Sequence, residues 1–347
     1  MPAPDIGVLF RITRAAKPAA DAVAASADTD QRDAASTEPV HTEADIDAAI
    51  VRDPSPVASL EAIDPMRLVF GIDDEPPQPP SYLFATIHFG SEAEQGINYA
   101  DLAERISSSK TFVNEIDGDA PWLAEYADYR WMAVDSPLSR MIGRDSFDMA
   151  RALLPSQRVQ DLERSKPWAV LALLEARGES GHNDSMDSRL QRIAAEHGLP
   201  IVHLETMAEQ LQALDCVPAN EQAEVLRQRL AKPWVLTLES DRAMRFYRSQ
   251  NLMAWMEDLD RLDGLDEYAK PIEHRARLCL LEARNQRWLP IIEGLLQQGP
   301  SFIAVGAMHI AGPDGLVAAL RRAGWRVEAE SFSPRLPPMP TIGQPGE

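Results

Sequence analysis

Two short segments of matching design constrain this chain more than anything else in it. They read Leu83-Phe-Ala-Thr-Ile-His88-Phe-Gly90 and Ile303-Ala-Val-Gly-Ala-Met-His309-Ile-Ala-Gly312, in opposite parts of a 347-residue sequence. Each is an apolar run rich in β-branched or aromatic residues. A small residue then stands three places before a His, and a Gly follows soon after. Such a run predicts a buried strand, and the glycines mark where the backbone turns sharply. Each His is therefore expected at the carboxyl end of a central strand, where α/β sheets hold their ligands. One such His would be unremarkable as a core residue. Two in matching contexts point to metal ligation or proton transfer, because imidazole serves both.

The rest of the chain alternates in the same way. A first strand is expected at 7–13, so residues 1–14 are assigned to the domain. Residues 15–80 are rich in Ala, Asp and Pro and predict a largely disordered insertion, with 57–72 the one stretch whose apolar spacing could pack back. Residues 81–333 predict an α/β domain, and 334–347 a Pro-rich tail. Strands are expected at 81–88, 111–117, 201–205, 302–309 and 325–331, and helices at 99–107, 187–197 and 316–323. The segment 119–164 predicts helices with polar breaks, and 168–176 fits either helix or strand. Long helices are expected from about 208 to 294, interrupted near Pro218, Pro233, Pro271 and Pro290. The fold class is thus α/β, a mixed central sheet with flanking helices. An internal duplication is suggested by Phe112-Val-Asn-Glu115 and Ile201-Val-His-Leu-Glu205, two short apolar strands that each end in a carboxylate.

Composition narrows the function. A hydrophobic content of 45% allows one large core or two smaller ones. The formal net charge of −20 argues against nucleic acid and against anionic membrane surfaces. Residues 16–80 hold 14 Asp or Glu against 4 Lys or Arg, so a balance of −10 lies in that segment. No run reaches the roughly 20 apolar residues of a membrane span. The apolar start at 6–10 is too short for a signal peptide, which makes the cytoplasm the expected location. Cys216 and Cys279 form no C-x-x-C pattern and no disulfide framework, and Cys279, in Leu278-Cys-Leu-Leu281, is expected in the core.

The two His motifs also stand in a recognisable company. Ala85-Thr-Ile-His88 is followed by Phe112-Val-Asn-Glu115-Ile-Asp117, then Arg284-Asn285, then Gly306-Ala-Met-His309. Lys166-Pro-Trp168, Met186-Asp187, Leu204-Glu-Thr206 with Gln210, and Gly312-Pro-Asp-Gly315 fall between or after them. In this order the chain resembles the TraB/GumN family, related to the Tiki metalloproteases, over roughly residues 82–328 and the first strand. That family carries a pair of GxxH motifs, a Glu after the first and an Arg-Asn before the second. Ala85 departs from the pattern by replacing the first glycine, and altered turn geometry is expected there. Family members are often exported, so the resemblance leaves a removed leader open.

The resemblance implies a divalent metal held by His88, Glu115 and His309. Two imidazoles and one carboxylate are a recurring ligand set that leaves positions for water. Such donors accept Zn, Mn, Co or Fe, and the resemblance favours Mn or Co. Glu205 reads as a second ligand, a general base or a cap for the helix beyond it, and His203 as a packed histidine. Arg284 and Asn285, about 100° apart on a helix, would let one face the crevice while the other binds backbone. Either could stabilise developing charge. His182 lies in a polar loop expected near the site, and Gly312–Gly315 in a turn that starts a helix. Trp288 and Trp325 are expected in the core. The preferred expectation is metal-dependent hydrolysis of a peptide bond, with catalytic roles for Glu115, Arg284, Asn285 and Glu205. A non-catalytic metal- or ligand-binding protein is the alternative, and an esterase a third. The partner is expected to be a peptide or small molecule, with no oligomeric state indicated.

Overall fold

The apolar runs pair in the centre of one sheet. The computed structural model of the protein describes residues 7–14, 79–176 and 185–332. Its strands are β1 (Leu9–Arg14), β2 (Ser81–Thr86), β3 (Thr111–Asn114), β4 (Ile201–His203), β5 (Ser301–Gly306) and β6 (Trp325–Ala329). Their spatial order is β4-β3-β5-β2-β1-β6. The pairs β4–β3, β3–β5 and β5–β2 are parallel, whereas β1 is antiparallel to both β2 and β6. The fold is therefore a mixed α/β sheet with flanking helices, as the alternation predicted.

Parallel strands covered on both faces read as unbroken apolar runs, and β5 is buried at every position. Phe84, Phe112 and Phe302 pack across β2, β3 and β5, with the Phe112 and Phe302 rings 6.1 Å apart and nearly parallel. In register, Thr86 faces Gly306 and Asn114 faces His203. The two His-bearing strands are thus neighbours, and so are the two Glu-bearing ones. All four point their carboxyl ends the same way.

The helices form a second apolar cluster away from the sheet. Leu138, Phe147, Leu162, Val170, Leu226 and Leu236 pack together from the helices between 138 and 248. Segment 168–176 resolves as a helix, Pro167–Glu175, opened by a proline at its start. Pro218 and Pro233 stand at helix starts, as expected. Pro290 does not break its helix, which runs unbroken as Ala283–Gln298. That helix is held by Trp288, Ile292 and Leu296 against the sheet, which outweighs one missing backbone bond. The irregularity falls earlier instead, as a π-helical turn at Leu278–Glu282. Such turns are frequent at functional sites.

Several expectations are corrected here. Cys279 is only half-buried, and Cys216 and Cys279 are joined in a disulfide with their Cα atoms 6.6 Å apart. The bond ties the loop after helix Met207–Leu214 to the π-helical turn. Ala85 causes no altered turn, because it lies within β2, fully buried and paired with Val305. Tyr247 donates its hydroxyl to the Ala85 carbonyl at 2.8 Å. Trp288 is fully buried but Trp325 is half-exposed, with its indole N–H on Glu293. The predicted insertion, its 57–72 patch, His182 and the Pro-rich tail lie outside the described residues, apart from Pro79 and Pro80. Among the described residues no helix is long and apolar enough to cross a membrane.

Candidate functional site

Both histidines stand just past the ends of their strands. His88 follows β2 by two residues, and His309 closes a 3₁₀ turn, Ala307–His309, directly after β5. Between them lies the backbone of Gly306. A methyl group there would sit 3.2 Å from Glu115 Oε1, 3.4 Å from His88 Nε2 and 3.6 Å from His309 Cδ2. The three side chains converge on that one point, and an added methyl would press on them more closely than side chains normally pack. Gly90 and Gly312, which follow the two histidines, have φ of 83° and 84° and supply the left-handed turns the motifs called for.

Each imidazole is fixed from behind through Nδ1. His88 Nδ1 is 3.0 Å from Asp187 Oδ2, while Asp187 Oδ1 accepts from the Thr86 hydroxyl at 2.8 Å. The Asp187 carboxylate raises the pKa of His88, although 61% of the His88 side chain is open to solvent that screens this attraction. His309 Nδ1 is 2.8 Å from Asn285 Oδ1. The Asn285 amide nitrogen donates to the carbonyls of His309 and Asp314, both at 3.1 Å, so its oxygen must be the acceptor. The His309 proton therefore sits on Nδ1, and Nε2 carries the lone pair. Burial pushes the His309 pKa down to about 3 and keeps the ring neutral.

Arg284 occupies the middle of the site. Its Nη1 donates to His309 Nε2 at 2.9 Å and to the Leu280 carbonyl in the π-helical turn at 3.2 Å. Its Nη2 donates to Glu115 Oε2 and Glu205 Oε1, each at 2.6 Å, and its Nε donates to Glu205 at 3.0 Å. All five guanidinium N–H donors are engaged. The guanidinium also lies over the Trp288 ring, 4.5 Å from its centroid, and that ring packs on His309. Burial works against the charge on Glu115, but the Arg284 guanidinium beside it and the Gly306 N–H hold its carboxyl below the ordinary carboxylate range. The Gly306 N–H adds a bond to Glu115 Oε1 at 2.7 Å, and Gln210 reaches Oε2 at 3.5 Å.

Glu205 is nearly sealed from solvent, with both oxygens turned to Arg284 and Oε2 also 3.4 Å from Arg287. It does not cap the following helix, because Thr206 does so in a reciprocal capping box with Glu209. His203 is packed as expected, its Nδ1 bonded to Asn114 Oδ1 at 2.6 Å. Arg284 faces the crevice and Asn285 binds backbone, the division that their angular separation allowed. The residue missed as a site member is Asp187. Its signal was present in the Met186-Asp187 pair, but nothing local tied it to His88, 99 positions away.

A family model covering residues 68–329 matches this chain, under the description TraB/PrgY/gumN family. The chain belongs to that family. Comparison with curated proteins and with solved structures gives no match. The family resemblance implied a divalent metal, and the side chains of this TraB/PrgY/gumN protein can be tested against one. The donors fit in type and orientation. His88 Nε2, the Cδ2 side of His309 and a carboxylate oxygen converge, and each ring is held through Nδ1 by an outer oxygen, as metal-binding histidines usually are. Spacing is looser than a closed ligand cage. His309 Nε2 and Glu115 Oε1 are 4.0 Å apart, whereas ligands about 2.1 Å from one ion stand roughly 3.0–3.4 Å from each other. Among the described residues no group of three or more His, Cys, Asp or Glu is spaced to hold an ion as it stands.

Proposed function

We propose that the protein is a metal-dependent hydrolase, with a peptide bond as its preferred substrate and His88, Glu115 and His309 as the metal ligands. The observation that carries this reading is the meeting of His88 Nε2, the Cδ2 side of the His309 ring and the Glu115 carboxylate at Gly306, with His309 Nε2 4.0 Å from Glu115 Oε1. A divalent ion there, Mn or Co by family resemblance, would polarise a carbonyl and lower the pKa of bound water to about 7. The protein's own residues do the rest. Asp187 and Asn285 hold the two rings so that Nε2 faces inward. Glu115 stays ionised beside Arg284 and offers Oε1 toward the same point. Asn285 has its neutral amide committed to two backbone carbonyls, so it is a positioning residue. The stabilisation of developing charge falls to Arg284, whose positive charge acts beside the site even with its N–H groups engaged. Glu205 anchors that guanidinium.

The second reading, a binding protein without turnover, draws support from one contact. Arg284 Nη1 bonds the His309 lone pair that an ion would need. Elemental analysis of purified protein, followed by a chelator-sensitive assay on a broad peptide library, separates the two. Stoichiometric metal with cleavage that EDTA abolishes is expected. Stoichiometric metal without cleavage selects the binding reading. Substitutions His88→Ala and His309→Ala should each abolish metal retention in a folded protein, and full retention in either removes that residue from the ligand set.

A further inference from the structure

The guanidinium of Arg284 and the candidate metal ligands share atoms. Arg284 Nη1 bonds His309 Nε2 and Nη2 bonds Glu115 Oε2, so a positive charge already sits among the three ligands. His309 has a single lone pair on Nε2, because Asn285 fixes its proton on Nδ1. That lone pair serves either a guanidinium N–H or a metal ion. Glu205 is different, because it grips Nε and Nη2 from the far side and touches neither histidine.

We propose that Arg284 and a divalent cation compete for the His309 lone pair, so that this guanidinium sets the affinity and exchange of the ion. The inference rests on the metal-site reading above. Taking up a cation at His309 requires Nη1 to let go of the imidazole while Glu205 keeps the rest of the fork in place. The same exchange releases one N–H of an otherwise saturated guanidinium beside the ligands, where it can donate to an oxygen of a bound substrate. Arg284 is then a placeholder and a substrate donor in turn. The Leu280 carbonyl, the other partner of Nη1, belongs to the π-helical turn, which gives the displaced group a backbone acceptor on the side away from His309.

The test is a titration of the full-length, EDTA-stripped protein with Mn²⁺ alone, reading free ion by electron paramagnetic resonance and bound ion by calorimetry. Two variants are compared with the natural protein. Arg284→Gln with Glu205→Gln removes the competitor and its buried counter-charge together. Arg284→Lys keeps the ion pair with Glu205 but replaces a fork that spans to His309 by a single ammonium, and guards against misfolding of the double variant. The double variant is expected to bind Mn²⁺ at least tenfold more tightly, and Arg284→Lys severalfold more tightly. Equal or weaker binding by both variants, with the natural protein binding normally, overturns the competition and leaves the metal site standing. If neither the natural protein nor the variants take up Mn²⁺, Co²⁺ or Zn²⁺, the metal-site reading falls and takes this inference with it.

Discussion

Single side chains set the geometry of the candidate centre, and their effects are separable. Asp187 touches no candidate ligand other than His88, which it holds through Nδ1. Outer carboxylates of this kind govern metal affinity by roughly 10- to 100-fold, so Asp187→Asn should weaken Mn²⁺ binding within that range while leaving the thermal transition close to unchanged. An unchanged affinity would show that His88 needs no orientation from behind. Gly306→Ala is a harsher probe, because the new methyl would meet Glu115 Oε1 at 3.2 Å and His88 Nε2 at 3.4 Å. It should abolish metal uptake in a protein that still folds, and retained uptake would mean that the three donors do not meet there. Asp187 also raises the proton affinity of His88, so ion binding at Nε2 should release protons. Calorimetry in buffers of different ionisation enthalpy reads that number directly, and it should fall in Asp187→Asn. Of these residues the sequence displayed the two histidines, Glu115, Arg284 and Asn285, because each sits in a short motif. It did not display the engagement of every Arg284 donor or the role of Asp187, because, the Leu280 carbonyl aside, those depend on partners 25 to 169 positions distant.

Elements were legible to the degree that burial wrote a periodic pattern. The central strands were plain in place but not in extent: the expected 81–88, 111–117 and 302–309 stop at Thr86, Asn114 and Gly306, because the apolar run continues into the turns beyond them. The helix Tyr99–Ser107 was plain in both, with Asn98 as its cap and Leu102 and Ile106 on its buried face. The π-helical turn at Leu278–Glu282 left no such mark, because its residues are ordinary helix formers and all lie partly or fully exposed. Pro290 gave a false break because local chemistry was weighed without the packing of Trp288 and Ile292. The disulfide was invisible for a related reason. Cys216 and Cys279 are 63 positions apart, on two elements whose meeting only the fold reveals. Closing a loop of that length is worth up to about 4 kcal/mol in the chain-entropy model. The double substitution Cys216→Ser with Cys279→Ser should therefore lower the urea-unfolding free energy by up to that amount, and an unchanged value would show that the bond constrains nothing. Because the π-helical turn supplies the carbonyl that receives Arg284 Nη1, reduction should also alter Mn²⁺ affinity.

At the scale of the whole molecule, the buried site should contribute to the pH dependence of stability. His309 is held at about 3, below its ordinary 6.5, so the unfolded chain binds that proton more tightly than the folded one. Its contribution is whole above about pH 6.5 and is lost as pH falls toward 3. Glu115, held below its ordinary 4.5, adds stability that is whole above about pH 4.5 and lost on further acidification. His88 runs the other way, its benefit fading as pH rises, but solvent screens it. Glu175, pushed up to about 7 by burial, also runs the other way between about pH 7 and 4.5. The site is therefore read as a difference: from about pH 7 to 4 the unfolding free energy of the natural protein should fall more, or rise less, than that of His309→Gln. A profile identical in both proteins would show that His309 is not held neutral. Strand order carries a last consequence, for manufacture rather than equilibrium. β5 seats between β3 and β2, and β6 reaches the sheet only through β1. A growing polypeptide on the ribosome must therefore keep its early strands apart until the late ones emerge. A chain ending before Ser301 would lack the strand that joins β4–β3 to β2–β1, and its two half-sheets would present open edges prone to aggregation.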